Sequence, residues 1–142
     1  MFELHPQLAK DCVWLGDFAL CRVLLNRDNH YPWLILVPRR EDISEIFQLS
    51  GQDQQQLLQE SSELSACLMR YFNADKMNVA ALGNMVPQLH IHYIARFKAD
   101  IAWPNPVWGF ASALSYSEQD LAARITGLTA ELSGLAVEFI AE

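Results

Sequence analysis

The sequence is poor in cysteine, has no apolar run long enough to cross a membrane, and does not begin like an exported protein. Its three cysteines, Cys12, Cys21 and Cys67, are odd in number and lack paired spacing. This favours small buried side chains in a reducing cytoplasm over a disulfide framework. Residues 1–6 lack the basic start of a signal peptide, and residues 33–37 are too few to span a bilayer. We therefore expect a cytoplasmic protein.

Positive charge is also scarce, because 10 Lys and Arg face 17 Asp and Glu and give a formal net charge of −7. This argues against a nonspecific hold on DNA or RNA, which depends on a Lys/Arg surface. A small phosphorylated ligand is not excluded, since a few oriented donors in a cleft can oppose the overall field. No Gly/Ser linker or repeat divides the chain, so we expect a single domain over residues 1–142.

The distribution of apolar residues predicts an α+β fold with a mainly antiparallel sheet. Gly16 and Asp17 separate two apolar runs and predict a two-residue hairpin turn. The run at residues 33–37 is apolar throughout, which is typical of a central strand covered on both faces. Ser50, with an acid three residues later, predicts the N-cap of a long helix that ends near Asn73.

Two strands and a second helix are predicted after this point. The strands are expected at residues 78–82 and 88–97, and the helix starts after Ser117 and extends to about residue 141. An apolar stripe supports this last helix, with steps of four and three along the chain. The stripe consists of Leu121, Ile125, Leu128, Leu132, Leu135 and Phe139. We expect the core of the domain at about residues 13–108 and a helical extension at about 117–141.

The predicted strand at residues 88–97 carries the most informative side chains. Gln88, His90 and His92 alternate along it and share one face, which is too polar to be buried without partners. Three interpretations compete for the two histidines. In the first, the histidines are hydrogen-bonded residues on a half-exposed strand. In the second, they are two ligands of a metal ion, and in the third, a nucleophile and a donor for phosphoryl chemistry. A metal would need further ligands, for which only His5 and His30 are candidates.

The loop at residues 83–87 favours phosphoryl chemistry. Gly83 lets backbone N–H groups approach an anion, Asn84 adds an amide donor, and Pro87 fixes the entry to the strand. Together with Gln88 this is a cluster of neutral donors without a carboxylate. A phosphate site would use that composition, whereas a divalent cation site would not.

These residues resemble the histidine triad (HIT) family of nucleotide hydrolases and transferases. The family carries His-x-His-x-His followed by apolar residues on the last strand of a five-stranded, mainly antiparallel sheet, and residues 88–94 correspond to that run. The likeness includes residues 33–39 and 103–104 and covers roughly residues 13–108. It implies a histidine triad fold with a long helix and a C-terminal helix, a small nucleotide substrate, no cofactor and a homodimer.

The resemblance also implies roles for individual residues. His90 matches the family's middle histidine, which becomes nucleotidylated at the α-phosphate, and His92 matches the third histidine, which supports the phosphate site. Asn26 matches the place of a polar residue that holds the ribose hydroxyls. The loop that contacts the phosphate corresponds to Asn84 and the backbone of Met85 and Val86.

Gln88 replaces the family's first histidine. Glutamine can donate to a phosphate oxygen but cannot carry a proton or positive charge, so we expect Gln88 to belong to the catalytic group as a neutral donor. The protein would then keep an activity like that of a phosphoramidase or a diadenosine polyphosphate hydrolase, with a lower rate or an altered substrate preference. Two alternatives stay open: a nucleotide-binding module with little turnover, and a metal-dependent hydrolase using the histidine pair. Trp103, Trp108 and Phe110 would cover a base, contact a partner or pack in the core.

Overall fold

The protein is built on one six-stranded sheet in the order β4-β5-β3-β2-β1-β6, as seen in a computed structural model that describes all 142 residues. Every neighbouring pair of strands is antiparallel. The helices are α1 (Pro6–Asp11), α2 (Gly51–Tyr71) and α3 (Glu118–Ser133). The strands are β1 (Cys12–Phe18), β2 (Cys21–Asn26), β3 (Trp33–Pro38), β4 (Lys76–Ala80), β5 (Ile91–Arg96) and β6 (Phe139–Ala141). The α+β fold class is confirmed, with six strands in place of the expected five.

Strand β3 lies inside the sheet between β2 and β5, and all its residues are buried. Leu34 and Leu36 belong to the larger apolar core, which α2 and α3 cover. Trp33 and Ile35 point to the opposite face, into a smaller core that includes Leu8 of α1. The all-apolar run was therefore correctly predicted as a central strand, because burial on both faces removes the polar alternation of an exposed strand.

The first hairpin turns at Ala19 and Leu20, so the prediction of a turn at Gly16 and Asp17 is wrong. The turn is held by side chains from elsewhere in the chain. The buried carboxylate of Glu60 accepts hydrogen bonds from the backbone N–H groups of Leu20 at 2.9 Å and Cys21 at 3.0 Å. The Arg39 guanidinium donates to the carbonyls of Phe18, Ala19 and Leu20.

Gly16 instead lies within β1, where the register shifts and the last strand approaches closely. Its φ is 154°, and a Cβ at this position would collide with the backbone of β6. The final helix stops at Ser133, Gly134 follows as its C-cap, and Phe139 begins β6. A single helix reaching residue 141 was therefore a wrong prediction, since the end of the apolar stripe pairs with the sheet edge.

The remaining boundaries shift by a few residues. Strand β4 begins two residues earlier than expected, and β5 begins at Ile91, so residues 88–90 precede the strand. Helix α1 was not anticipated. Residues 97–117 contain no helix or named strand and fold back over the smaller core. No helix in the structure combines the length and apolar character needed to cross a bilayer.

Candidate active site

A cleft of about 750 Å³ opens on the sheet face opposite α2 and α3, within the size range of small-molecule sites. It is walled by α1, by the ends of β2, β3 and β5, and by two loops. Its lining residues are Gln7, Leu8, Asp11, Cys12, Asn26, Trp33, Ile35, Leu82, Gly83, Asn84, Met85, Val86, His90, His92 and Trp108. The structure therefore brings His90, His92, Asn84, Met85, Val86 and Asn26 to one cleft.

His90 is buried, with 7% of its surface exposed, and stands just before β5. Its Nδ1 lies 2.7 Å from the backbone carbonyl oxygen of Gln88. Because a carbonyl can only accept, Nδ1 must carry the hydrogen, and the lone pair of a neutral His90 is on Nε2. His90 is thus held in the tautomer that leaves the lone pair of Nε2 free to act as a nucleophile.

His92 is held in the opposite tautomer. The indole Nε1–H of Trp33 can only donate, and it donates to Nδ1 of His92 at 3.0 Å. A neutral His92 therefore carries its hydrogen on Nε2, which makes that atom a donor. Burial, with a smaller contribution from neighbouring His90, lowers the pKa of His92 to about 4. His92 is consequently neutral at physiological pH.

The two imidazoles form an aromatic cluster with two indoles. The ring centroids of His90 and His92 are 5.0 Å apart, and Trp108 lies edge-on to His92 at 5.1 Å and to Trp33 at 5.8 Å. These contacts exclude water from one side of His92, which is the physical origin of its lowered pKa. Trp103 instead lies under the Arg96 guanidinium at 5.7 Å, and Phe110 is 47% exposed.

The loop before β5 and the end of β2 supply the other polar groups. Gly83 has a φ of 77°, and Val86 is anchored in the smaller core with 8% exposure, while Asn84 and Met85 are exposed at the cleft. The Asn26 Oδ1 accepts from the backbone N–H of Asp28 at 2.8 Å. This leaves its Nδ2 hydrogens available to a ligand.

Gln88 lies outside the cleft, which differs from our expectation of a donor to phosphate. Its Nε2 donates to the Glu3 carbonyl at 2.9 Å, and its Oε1 accepts from the His5 N–H at 2.9 Å. Both polar atoms of the amide are therefore occupied by the backbone of the N-terminal segment. Only the main-chain carbonyl of Gln88 reaches the site, where it accepts from His90.

Several cleft residues were missed by sequence reasoning. Helix α1 contributes Gln7, Leu8 and Asp11, and its six residues are too few to show an apolar period. The available signal was Pro6 at the first helical position, where proline is favoured. The role of Trp33 could not be found from its strand, because the hydrogen bond spans 59 positions of sequence.

A buried ion pair between Arg96 and Asp100 anchors the segment at residues 97–117, which carries Trp108. The side chains of Arg96 and Asp100 are 1% and 4% exposed and make two hydrogen bonds, at 2.8 and 3.0 Å. Arg96 also donates to Asn78 Oδ1 and to the carbonyl of Asn105. Burial alone would raise the pKa of Asp100, but hydrogen bonds from Arg96 and from backbone N–H groups outweigh it and lower the pKa to about 2.

The additional histidines considered as metal ligands lie elsewhere. His5 caps α1, where its Nδ1 accepts from the Gln7 N–H at 3.1 Å. His30 contacts Asp28 at 2.8 Å and, like His5, does not line the cleft. No group of three or more His, Cys, Asp or Glu side chains in the structure is arranged to hold a metal ion.

The sheet order and the paired histidines are those of a histidine triad protein. The family model of the HIT domain matches residues 7–99, and the chain belongs to this family, whose members are generally nucleotide-binding hydrolases or transferases. A comparison with curated proteins found no match.

Solved structures support the same assignment. A histidine triad protein from Marinobacter aquaeolei is 53% identical, with a TM-score of 0.92, over 96% of this chain and 99% of that one. One from Bradyrhizobium japonicum is 45% identical, with a TM-score of 0.89, over 92% and 97% of the two chains. One from Sinorhizobium meliloti is 44% identical, with a TM-score of 0.84, over 89% and 96%.

Proposed function

We propose that this chain is a nucleotide hydrolase or nucleotidyl transferase that acts at the α-phosphate through a nucleotidyl-His90 intermediate. The observation that carries the proposal is the opposed pair of tautomers. Gln88 O fixes the hydrogen of His90 on Nδ1, and Trp33 Nε1 fixes that of His92 on Nε2. One imidazole therefore offers a lone pair to the cleft while its neighbour offers an N–H.

In the proposed first step, the lone pair of His90 Nε2 forms a bond to the α-phosphorus. The bond from phosphorus to the leaving group breaks, and the leaving atom departs with the electron pair and takes a proton from solvent. His92 Nε2–H, Asn84 and the loop N–H groups donate to the phosphoryl oxygens and stabilise their added charge. The carbonyl of Gln88 stabilises the Nδ1–H of the positively charged ring.

In the second step, water attacks the same phosphorus and releases the nucleoside monophosphate. The electron pair of the P–N bond returns to Nε2, and the proton of the attacking water leaves to solvent. An acceptor other than water would make the same chemistry a nucleotidyl transfer. Gln88 has no part in donation to phosphate here, because its side-chain amide is occupied outside the cleft.

The rest of the cleft suits a nucleoside. Asn26 Nδ2 would donate to a ribose hydroxyl, and Leu8, Ile35 and Trp33 provide apolar surface against which a base can pack. The substrate classes that fit this chemistry have a nucleoside monophosphoryl group bonded to an amine, a sulfate, an acyl group or a second nucleotide. Nucleoside phosphoramidates represent the class with an amine, and diadenosine polyphosphates represent the class with a second nucleotide.

A crystal soaked with adenosine monophosphate tests the site, and turnover of a panel of these four classes tests the chemistry. We expect the phosphate within hydrogen-bond distance of His90, His92 and Asn84, with the ribose at Asn26. If the protein binds the monophosphate but hydrolyses no member of the panel, it is a nucleotide-binding module and the proposed enzymatic activity is refuted. Stoichiometric zinc required for activity would favour the metal-dependent alternative.

We also propose a homodimer that joins through the β4 edge. Strand β4 has a free edge, since it pairs only with β5. Exposed apolar side chains lie on and after it, with Val79 52%, Leu82 48% and Met85 92% exposed. An unpaired edge with apolar side chains is a ready template for a second strand.

A further inference from the structure

We infer that Gln88 is a positioning residue that fixes the α1 wall of the cleft relative to the nucleophile. The inference deepens the proposed function and rests on it. It starts from the environment of the Gln88 amide, which contacts the backbone of residues 3 and 5, more than 80 positions earlier in the chain.

The Gln88 side-chain amide makes the same pair of hydrogen bonds to the N-terminal segment that the backbone of a neighbouring strand would make. Its Oε1 accepts from the N–H of His5, and its Nε2 donates to the carbonyl of Glu3, both at 2.9 Å. Only Asn and Gln carry a strong donor and a strong acceptor on one planar amide. A carboxylate in the same place could accept from His5 but would face the Glu3 carbonyl with a second acceptor.

The segment held in this way leads directly into α1. His5 is the N-cap residue, whose Nδ1 accepts from the Gln7 N–H and whose carbonyl accepts from the Ala9 N–H, each at 3.1 Å. Gln7, Leu8 and Asp11 of this helix then line the cleft. With only six residues, α1 cannot be stable by itself and depends on anchoring from outside.

The same residue also holds the nucleophile, because the main-chain carbonyl of Gln88 accepts from Nδ1 of His90 at 2.7 Å. Side chain and main chain of Gln88 therefore act on two walls of one cleft. The side chain sets where α1 lies, and the main chain sets the tautomer of His90. Replacing the side chain leaves the carbonyl in place, so the two effects are separable by mutation.

The test compares Gln88→Glu and Gln88→Ala with the wild type, using hydrogen exchange, binding of adenosine monophosphate and steady-state kinetics. We expect faster exchange across residues 1–12 in both variants. We also expect Kd and KM to rise about fivefold or more in both variants, which corresponds to about 1 kcal/mol. The kcat should stay within about twofold, because the carbonyl that orients His90 is unchanged.

The matched control is Gln54→Glu on α2, which removes an amide donor to the Leu49 carbonyl away from the cleft. It should leave exchange at residues 1–12, Kd and kcat unchanged. If Gln88→Ala does not fold, Gln88→Glu, which has nearly the same shape, decides the matter alone. Unchanged exchange and Kd in Gln88→Glu, or a loss of kcat with constant KM, would overturn the inference. A wild type that neither binds adenosine monophosphate nor turns over the panel would overturn the proposed function instead.

Discussion

Trp33 donates its indole N–H to Nδ1 of His92 at 3.0 Å, and this contact joins β3 to β5 in the floor of the cleft. It sets the histidine to donate from Nε2, the ring nitrogen that Trp33 does not occupy. Trp33 thus determines which ring nitrogen of His92 carries the hydrogen.

Replacing Trp33 with Phe should slow turnover about fivefold, since it removes the donor but keeps most of the apolar volume. The expected loss corresponds to one hydrogen bond of about 1 kcal/mol. Steady-state kcat at neutral pH is the measurement. Trp14→Phe is the matched control, because Trp14 also donates its indole N–H, to Gly16 and Asp17, but does not line the cleft. Equal kcat in the two variants would contradict the role of Trp33.

His90→Ala should abolish turnover while leaving binding of adenosine monophosphate largely intact, because it removes the lone pair that forms the covalent bond. His92→Ala should keep residual activity, since it removes one of several donors. Rapid quench followed by peptide mass spectrometry should find the nucleoside monophosphate adduct on the His90 peptide. An adduct only on His92, or full activity in His90→Ala, would reverse the assignment.

The buried neutral His92 should make the protein less stable in mild acid. Its pKa is 6.5 as an unperturbed side chain and about 4 in the fold. Between these values the unfolded chain binds the extra proton, so the free energy of unfolding falls as pH decreases through this window. The loss approaches about 3 kcal/mol near the lower limit. Urea unfolding from pH 7 to pH 4 measures it, and His92→Gln should show a correspondingly flatter profile. Parallel profiles would show that His92 is not held neutral.

Asp100→Asn should lower the free energy of unfolding by about 3–5 kcal/mol, because it leaves the Arg96 guanidinium buried without its counter-ion. Asp53→Asn is the control. Arg40 also bonds Asp53 through two nitrogens, but these side chains are 46% and 18% exposed, so about 1 kcal/mol or less should be lost. Urea unfolding curves compare the two. Similar losses in both variants would mean that burial does not set the strength of the Arg96–Asp100 pair.

Light scattering at micromolar concentration should give about twice the 16.1 kDa chain mass. Val79→Lys should shift the protein toward monomer, because it places a charge on the exposed edge strand β4. Ile140→Lys is the matched control, at the opposite edge of the same sheet and 65% exposed. A monomeric wild type would refute the dimer, and equal dissociation by both variants would refute the β4 surface.

The parts of the fold that sequence predicted well have local causes. The central position of β3 follows from five consecutive apolar residues, and the N-cap at Ser50 accepts from the Asp53 N–H as expected. His90 and His92 both line the cleft, as the predicted alternation requires, although His90 lies just before β5. In each case a few neighbouring residues determine the outcome.

The parts that sequence missed depend on distant contacts. Gly16 looks like a turn residue, but its missing Cβ makes room for a strand about 125 positions later, whose partner register only the fold reveals. Gln88 looks like a phosphate donor from its place beside the histidines. Its amide instead forms hydrogen bonds with the backbone of residues 3 and 5, which no local pattern indicates.

The hydrogen bonds from the turn at Ala19 and Leu20 to the Glu60 carboxylate have a consequence for how the chain folds during its synthesis. This turn contains no glycine, proline, asparagine or aspartate, the residues that let a hairpin close by itself. Its N–H groups find their acceptor 40 positions later, on α2. In a chain growing on the ribosome, we expect this hairpin to stay unstable until that helix has emerged, because its N–H groups lack their protein acceptor before then. We therefore expect the N-terminal third of the chain to leave the exit tunnel unfolded and to depend on the middle of the sequence for its first stable structure.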